Sequence, residues 1–238
     1  MPLSINTNIA SLTAQRSFLN SNSALETAFE RLSTGKRINS ASDDAAGLAI
    51  ATDLNSRVSG LNQAVRNVND GISMVQIVEG TYDEVTSILQ RMRDMAVQAA
   101  NGSLTVTERN YLDAEEDALV LAIDAAIDQA RFNGTDLATV GASGTSLTVS
   151  VNIQAGANTG DTISLDISSS TASNASALGV GSLDVATNAS GALGSIDTAL
   201  TRVATQRAQL GAYQAQLEST VRNLSNVAEN TAAAAGRI

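Results

Sequence analysis

The chain has 238 residues, 14 basic and 24 acidic for a formal charge of −10, with no cysteine, no histidine and 3% aromatics. Without Cys or His there is no disulfide, no thiol nucleophile, no His-based triad and no zinc site of the usual ligand types. The acidic balance disfavours nucleic acid and anionic membrane surfaces, and no stretch approaches the roughly 18 apolar residues of a membrane span.

The first forty residues carry an apolar stripe. Leu12 and Leu19, then Phe18, Leu25 and Leu32, repeat at seven and predict a helix up to Ser33-Thr34-Gly35. A lone stripe of this kind must find a partner or stay disordered. Ser40 and Ser42 before Asp43-Asp44 predict the next helix start, because acids there complement the helix dipole. From Ala51 the apolar positions Leu54, Val58, Leu61, Val65, Val68, Ile72 and Val75 alternate steps of three and four, the seam of a heptad coil. The rhythm continues less strictly through Tyr82, Leu89 and Met92, and Asn101-Gly102 is the expected C-cap pair. A helix from Asp44 to Asn101 would run roughly 85 Å at 1.5 Å per residue. Thr105 and Glu108 form a capping box for a shorter helix, with Leu112, Leu119, Ala122, Ala126 and Ala130 as its stripe. It is expected to end near Arg131, before a turn at Asn133-Gly134.

Between Phe132 and Thr201 the chain has no Lys or Arg. Leu147, Val149, Val151 and Ile153 alternate with polar residues, as do Ile163, Leu165 and Ile167, so two strands are predicted around the hairpin loop QAGANTGDT. Ser168 to Ser190 reads as loop. The last region keeps an unbroken rhythm through Leu193, Ile196, Leu200, Val203, Arg207, Leu210, Gln214, Leu217, Val221, Leu224, Ala228 and Thr231. Arg207 and Gln214 fall on this seam, where polar residues fix register. Ala51–Val75 and Leu193–Thr231 are the expected antiparallel partners. The fold class is therefore mainly α: a long antiparallel helical-bundle rod with a small β-hairpin excursion.

Candidate chemistry is sparse. Asp43-Asp44 and Glu115-Glu116-Asp117 are adjacent acids, but neighbours on a helix do not face each other, so they read as helix-terminal or solvated charge. Gly156 to Thr162 resembles a phosphate loop only in its glycines and lacks the required Lys. Met74, Met92 and Met95 read as seam filler. No catalytic, cofactor-binding or metal-binding residue is predicted, and no enzyme reading survives.

SINTNIASLTAQRSF and ERLSTGKRINSASDDAAGLAIA (Glu30 to Ala51) resemble the amino-terminal signature of bacterial flagellins. LQRMRDMAVQAAN (Leu89 to Asn101) is similar to the flagellin segment LQRxRELAVQxxN, and FNGTDL, QAGANTGDTISLDI and RAQLGAYQAQLESTVRNLSNVAEN follow in the family's order. The resemblance implies a structural subunit of the flagellar filament, self-assembling for motility with no enzymatic activity. It implies residues 1–43 as the first helix of a filament-core terminal domain and 44–131 as the long and short helices of a rod domain. Residues 132–192 would be the rod's hairpin and loops, and 193–238 its carboxy-terminal helix.

Assembly would rest on Leu12, Phe18, Leu19, Leu25, Phe29 and Leu32. Implied partners are other flagellin subunits, the flagellar type III export apparatus, cap and junction proteins, and the flagellin-sensing Toll-like receptor. No cofactor, nucleic acid or membrane insertion is implied; the protein would be secreted to the extracellular flagellum without a cleavable signal peptide. The receptor site maps onto Arg91, Met95 and Glu115, with Met95 a volume-conserving swap where Leu is usual; their plain reading is exposed rod surface. The family continues past this point with a further amphipathic helix of about forty residues, whereas the chain stops at Ile238, so truncation is the expectation. Alternative readings are a hook–filament junction protein, or a secreted adhesin or binding module using the hairpin.

Overall fold

The computed structural model describes residues 8–137, 149–168 and 174–238; Leu147 and residues 169–173 lie outside them. The chain divides into two compact units, residues 1–59 with 228–238, and residues 60–227.

In the first unit, α1 (Ile9–Thr34) starts at Asn8, whose side chain accepts the Ser11 amide. It ends at Gly35, where φ is +67° and the cap N–H donates to the Arg31 carbonyl. A side chain is strained in that left-handed conformation, so glycine closes the helix. In the turn that follows, the Asp43 carboxylate accepts the Asn39 and Ser40 amides and the Ser40 hydroxyl. Those bonds, the Asn39 one foremost, hold its pKa below the usual carboxylate value. Asp44 takes the Gly47 amide at 2.9 Å and so caps α2 (Ala45–Ala99) rather than being its first residue.

In the second unit the buried line along α2 is Leu61, Ala64, Val68, Gly71, Val75, Val78, Tyr82, Val85, Leu89, Met92, Ala96 and Ala99. Two corrections follow. Val65 and Ile72 are half-buried, with the smaller Ala64 and Gly71 in their place on the seam. The rhythm also stays strict to the helix end instead of loosening after Val75. The small residues have a cause. The hairpin β3 (Val149–Gln154) and β4 (Thr162–Ser168) lies on this side of α2. A Cβ on Gly71 would stand 3.2 Å from Ile153 Cγ1, and one on Gly60 3.0 Å from Ala157 Cβ. Asn67 Nδ2 donates to the Gln154 carbonyl at 3.2 Å, and Gln206 Nε2 to the Ile167 carbonyl at 3.2 Å. The predicted hairpin loop is observed, and so is the alternation over residues 150–153 and 163–167; the side chains of Leu147 and Val149 lie outside the described residues.

Asn101-Gly102 does not form a left-handed cap, since neither residue has positive φ. The end of α2 closes through the Asn101 amide on the Gln98 carbonyl, while the Asn101 side chain takes the Ser103 amide. α3 (Val106–Asp128) shows both bonds of the Thr105–Glu108 capping box. It ends three residues before Arg131, because Arg131 is already in a small hairpin of β1 (Arg131–Phe132) and β2 (Thr135–Asp136). Asn133 and Gly134, with φ +49° and +78°, make its turn, and both positive values suit a two-residue hairpin.

The stretch read as loop before Ser190 holds helix. α4 (Ala175–Leu178) is capped by Asn174, and α5 (Val185–Arg237) opens eight residues before Leu193. Asp184 takes the Thr187 amide and hydroxyl. Asn188 then departs from helical geometry and takes the Gly191 amide. Two side-chain caps in series thus start α5 through a Ser/Gly/Asn-rich segment that composition alone marks as irregular. Within this unit α2 and α5 are antiparallel partners. Arg93 pairs with Asp197 at 2.8 Å and Asp83 with Arg207 at 3.0 Å, ten residues back on one helix and ten forward on the other. On α5 it is Gln206 that is buried. Arg207 stands at the seam's edge, and Gln214 bonds Glu218 of its own helix.

Candidate assembly surface

Every large apolar side chain predicted for assembly is on α1, and no residue of that helix is buried. Leu12 is 55% exposed, Phe18 66%, Leu19 67%, Leu25 54%, Phe29 63% and Leu32 81%. At 3.6 residues per turn, Phe18, Leu25, Phe29 and Leu32 share an arc of about 60°, and Leu12 and Leu19 widen the band to one side. Arg31, in the last turn, suits the negative end of the helix dipole. The structure thus gathers these six residues on one helix.

The three receptor-contact candidates are in the second unit and do not share one environment. Arg91 on α2 bridges to Glu115 on α3 at 2.5 Å, with side chains 65% and 42% exposed. Met95 is 6% exposed and packs inward, so reading all three as exposed surface fails at Met95. Its neighbours in the buried line, Met92 and Ala96, explain this: Met95 lies beside the seam, one helical turn on from Arg91, whose partner Glu115 is on α3. The acidic triplet is corrected as well. Glu115 and Asp117 are solvated, but Glu116 is 2% exposed. Burial, and then Asp113, Asp117 and Asp184, raise its pKa to about 7. A signal for it was present, because Glu116 stands seven residues before the buried Ile123 and so shares that face. Among the described residues no group of three or more Cys, His, Asp or Glu side chains is placed to hold a metal ion. Among them, too, no helix is long and apolar enough to cross a membrane.

Comparison with known proteins gives this architecture a family. Residues 5–139 match the bacterial flagellin N-terminal helical region, and residues 193–238 the bacterial flagellin C-terminal helical region. The chain belongs to the bacterial flagellins. It is 41% identical over 236 residues to the flagellin of Halalkalibacterium halodurans, spanning 98% of this chain and 84% of that protein. It is 38% identical over 245 residues to the flagellar filament 33 kDa core protein of Treponema phagedenis, spanning 98% and 85%. The crystal structure of Bacillus cereus flagellin superposes with a TM-score of 0.57 at 28% identity, covering 67% of this chain and 88% of the other. Flagellins are structural proteins, and this one is a structural subunit of the flagellar filament, assembling with other flagellin subunits. The helical bundle with its small β excursion is a flagellin architecture.

Proposed function

We propose that α1 is the surface through which copies of this flagellin join in the filament, with residues 1–43 as the filament-core region and 44–238 as the rod. The observation that carries this reading is the band of six large apolar side chains, all more than half exposed. Burying one such side chain contributes roughly 1.5–3 kcal/mol, so covering all six supplies on the order of 10 kcal/mol. That gain must exceed the cost of ordering the helix. Neighbouring subunits offer the matching surface, since each brings the same band.

The test is elongation from filament seeds by the double variant Phe18→Ser, Leu25→Ser. Elongation should stop, while the thermal unfolding of the monomer stays as in the wild type, because the replaced side chains already face solvent. Growth of the variant at the wild-type rate would refute the assignment.

Catalysis has no part in this reading, in keeping with a chain that contains neither Cys nor His. The same reading extends to export through the flagellar type III apparatus, encounters with cap and junction proteins, and recognition by the flagellin-sensing Toll-like receptor, and the family likeness supports it. For the receptor, the bridged Arg91 and Glu115 supply the accessible polar contact. Met95 acts from beneath by fixing how α2 meets α3.

A further inference from the structure

Two polar side chains are buried among the described residues, Gln206 and Glu116. Gln206 has its partner in the Ile167 carbonyl. Both carboxyl oxygens of Glu116 have none. Among the described residues, the charges that act on Glu116 are negative: Asp113 and Asp117 on its own helix, and Asp184 from the turn that opens α5. From α2, which meets α3 through the Arg91–Glu115 pair, no charge relieves it. Arg91 is held by Glu115 and Arg93 by Asp197. Arg109, two turns earlier on α3, points a guanidinium nitrogen at the Leu104 carbonyl. A carboxylate shut away from solvent, without hydrogen bonds or counter-charge, is strongly disfavoured against its neutral acid.

The neighbouring carboxylates have a structural task. Asp113 Oδ1 accepts the Val185 amide at 3.1 Å and ties α3 to the first residue of α5. Asp184 accepts the Thr187 amide and hydroxyl at 2.8 and 2.7 Å and shapes the same turn. We propose that Glu116 is a proton-operated clasp: as a neutral acid it lets α3 hold the opening turn of α5, and on giving its proton to solvent it repels Asp113 and Asp184 and loosens that turn. The geometry requires no other ligand than the proton.

The direction follows from linkage. The folded chain keeps the Glu116 proton up to about pH 7, whereas the unfolded chain releases it near 4.5. The folded state therefore binds more protons between those values, and stability falls as pH rises through that window, with no further change above it.

The experiment uses the full chain as dissociated monomer, compared with Glu116→Gln and Glu116→Leu between pH 5 and 8. Hydrogen-exchange protection of the Val185 and Thr187 amides should fall by roughly a hundredfold in the wild type across this range. In the variants it should stay level, because neither carries a charge to release. A 13C carboxyl titration of Glu116 in the wild type should have its midpoint near 7, and this reading needs no variant to fold. A midpoint below 5, or protection that declines in parallel in wild type and variants, would overturn the proposal.

Discussion

Single residues in this chain show how little room the seam leaves. Gly71 is the clearest case, because the hairpin side chain of Ile153 occupies the space a larger residue would fill. Gly71→Leu should cost about 1–3 kcal/mol by overpacking, measured by chemical denaturation, with protection of β3 and β4 lost first. Gly71→Ala sets a gain of about 1 kcal/mol in helix propensity against a contact that Ile153 must relax, and should be near neutral. Tyr82 is fully buried in the same line, and burial pushes its phenol up to about 12 from 10. The folded state thus keeps a proton that the unfolded state releases, so Tyr82 contributes stability below pH 10 that is lost as pH rises to about 12. Phenolate absorbance should show a late component in this range, and Tyr82→Phe should remove it.

At the scale of elements, the capping box of α3 offers a direct measurement. Thr105→Ala removes the acceptor for the Glu108 amide and should lower stability by about 1 kcal/mol, with faster exchange confined to the first turn of α3. The pairing of α2 and α5 can be checked by cysteines. With one at Val68 and a second scanned along α5, disulfide yield should peak near Val221, the register that the two ion pairs extrapolate to. Equal yields along the helix would contradict that register. These elements were legible to different degrees for physical reasons. The helices announced themselves wherever large apolar residues kept the rhythm, and the reading slipped at Ala64 and Gly71, whose inward position makes sense only once the hairpin is in place. The strand pair followed from strict alternation, and the two-residue strands at Arg131 and Thr135 did not, being too short to alternate. The start of α5 stayed hidden because Asp184 and Asn188 act as caps within a composition typical of loops. Glu116 was hidden by its neighbours: three successive acids read as solvated, although helical geometry turns the middle one inward.

For the molecule as a whole, order should depend on association. α1 has no buried residue, and an isolated helix of its length is marginal in water. Amide exchange in dilute monomer should be rapid through residues 9–32 and slow in 61–75, and assembly should slow the first segment while changing the second little. Strong protection of both segments in a verified monomer would contradict α1 as the assembly surface. The line buried along α2 has a further consequence. Its twelve positions from Leu61 to Ala99 alternate steps of three and four without interruption, which averages close to 3.5 residues per turn, whereas a straight α-helix has 3.6. The mismatch turns the line by about 20° per heptad, opposite to the helix's own hand, so α5 can follow it only by winding left-handed around α2. Over the roughly five heptads involved, this amounts to about a quarter turn. The side of α2 that receives α5 beside the hairpin thus differs in azimuth from the side that receives it beside α3, and inserting a single residue near Val78 would rotate one against the other by about 100°.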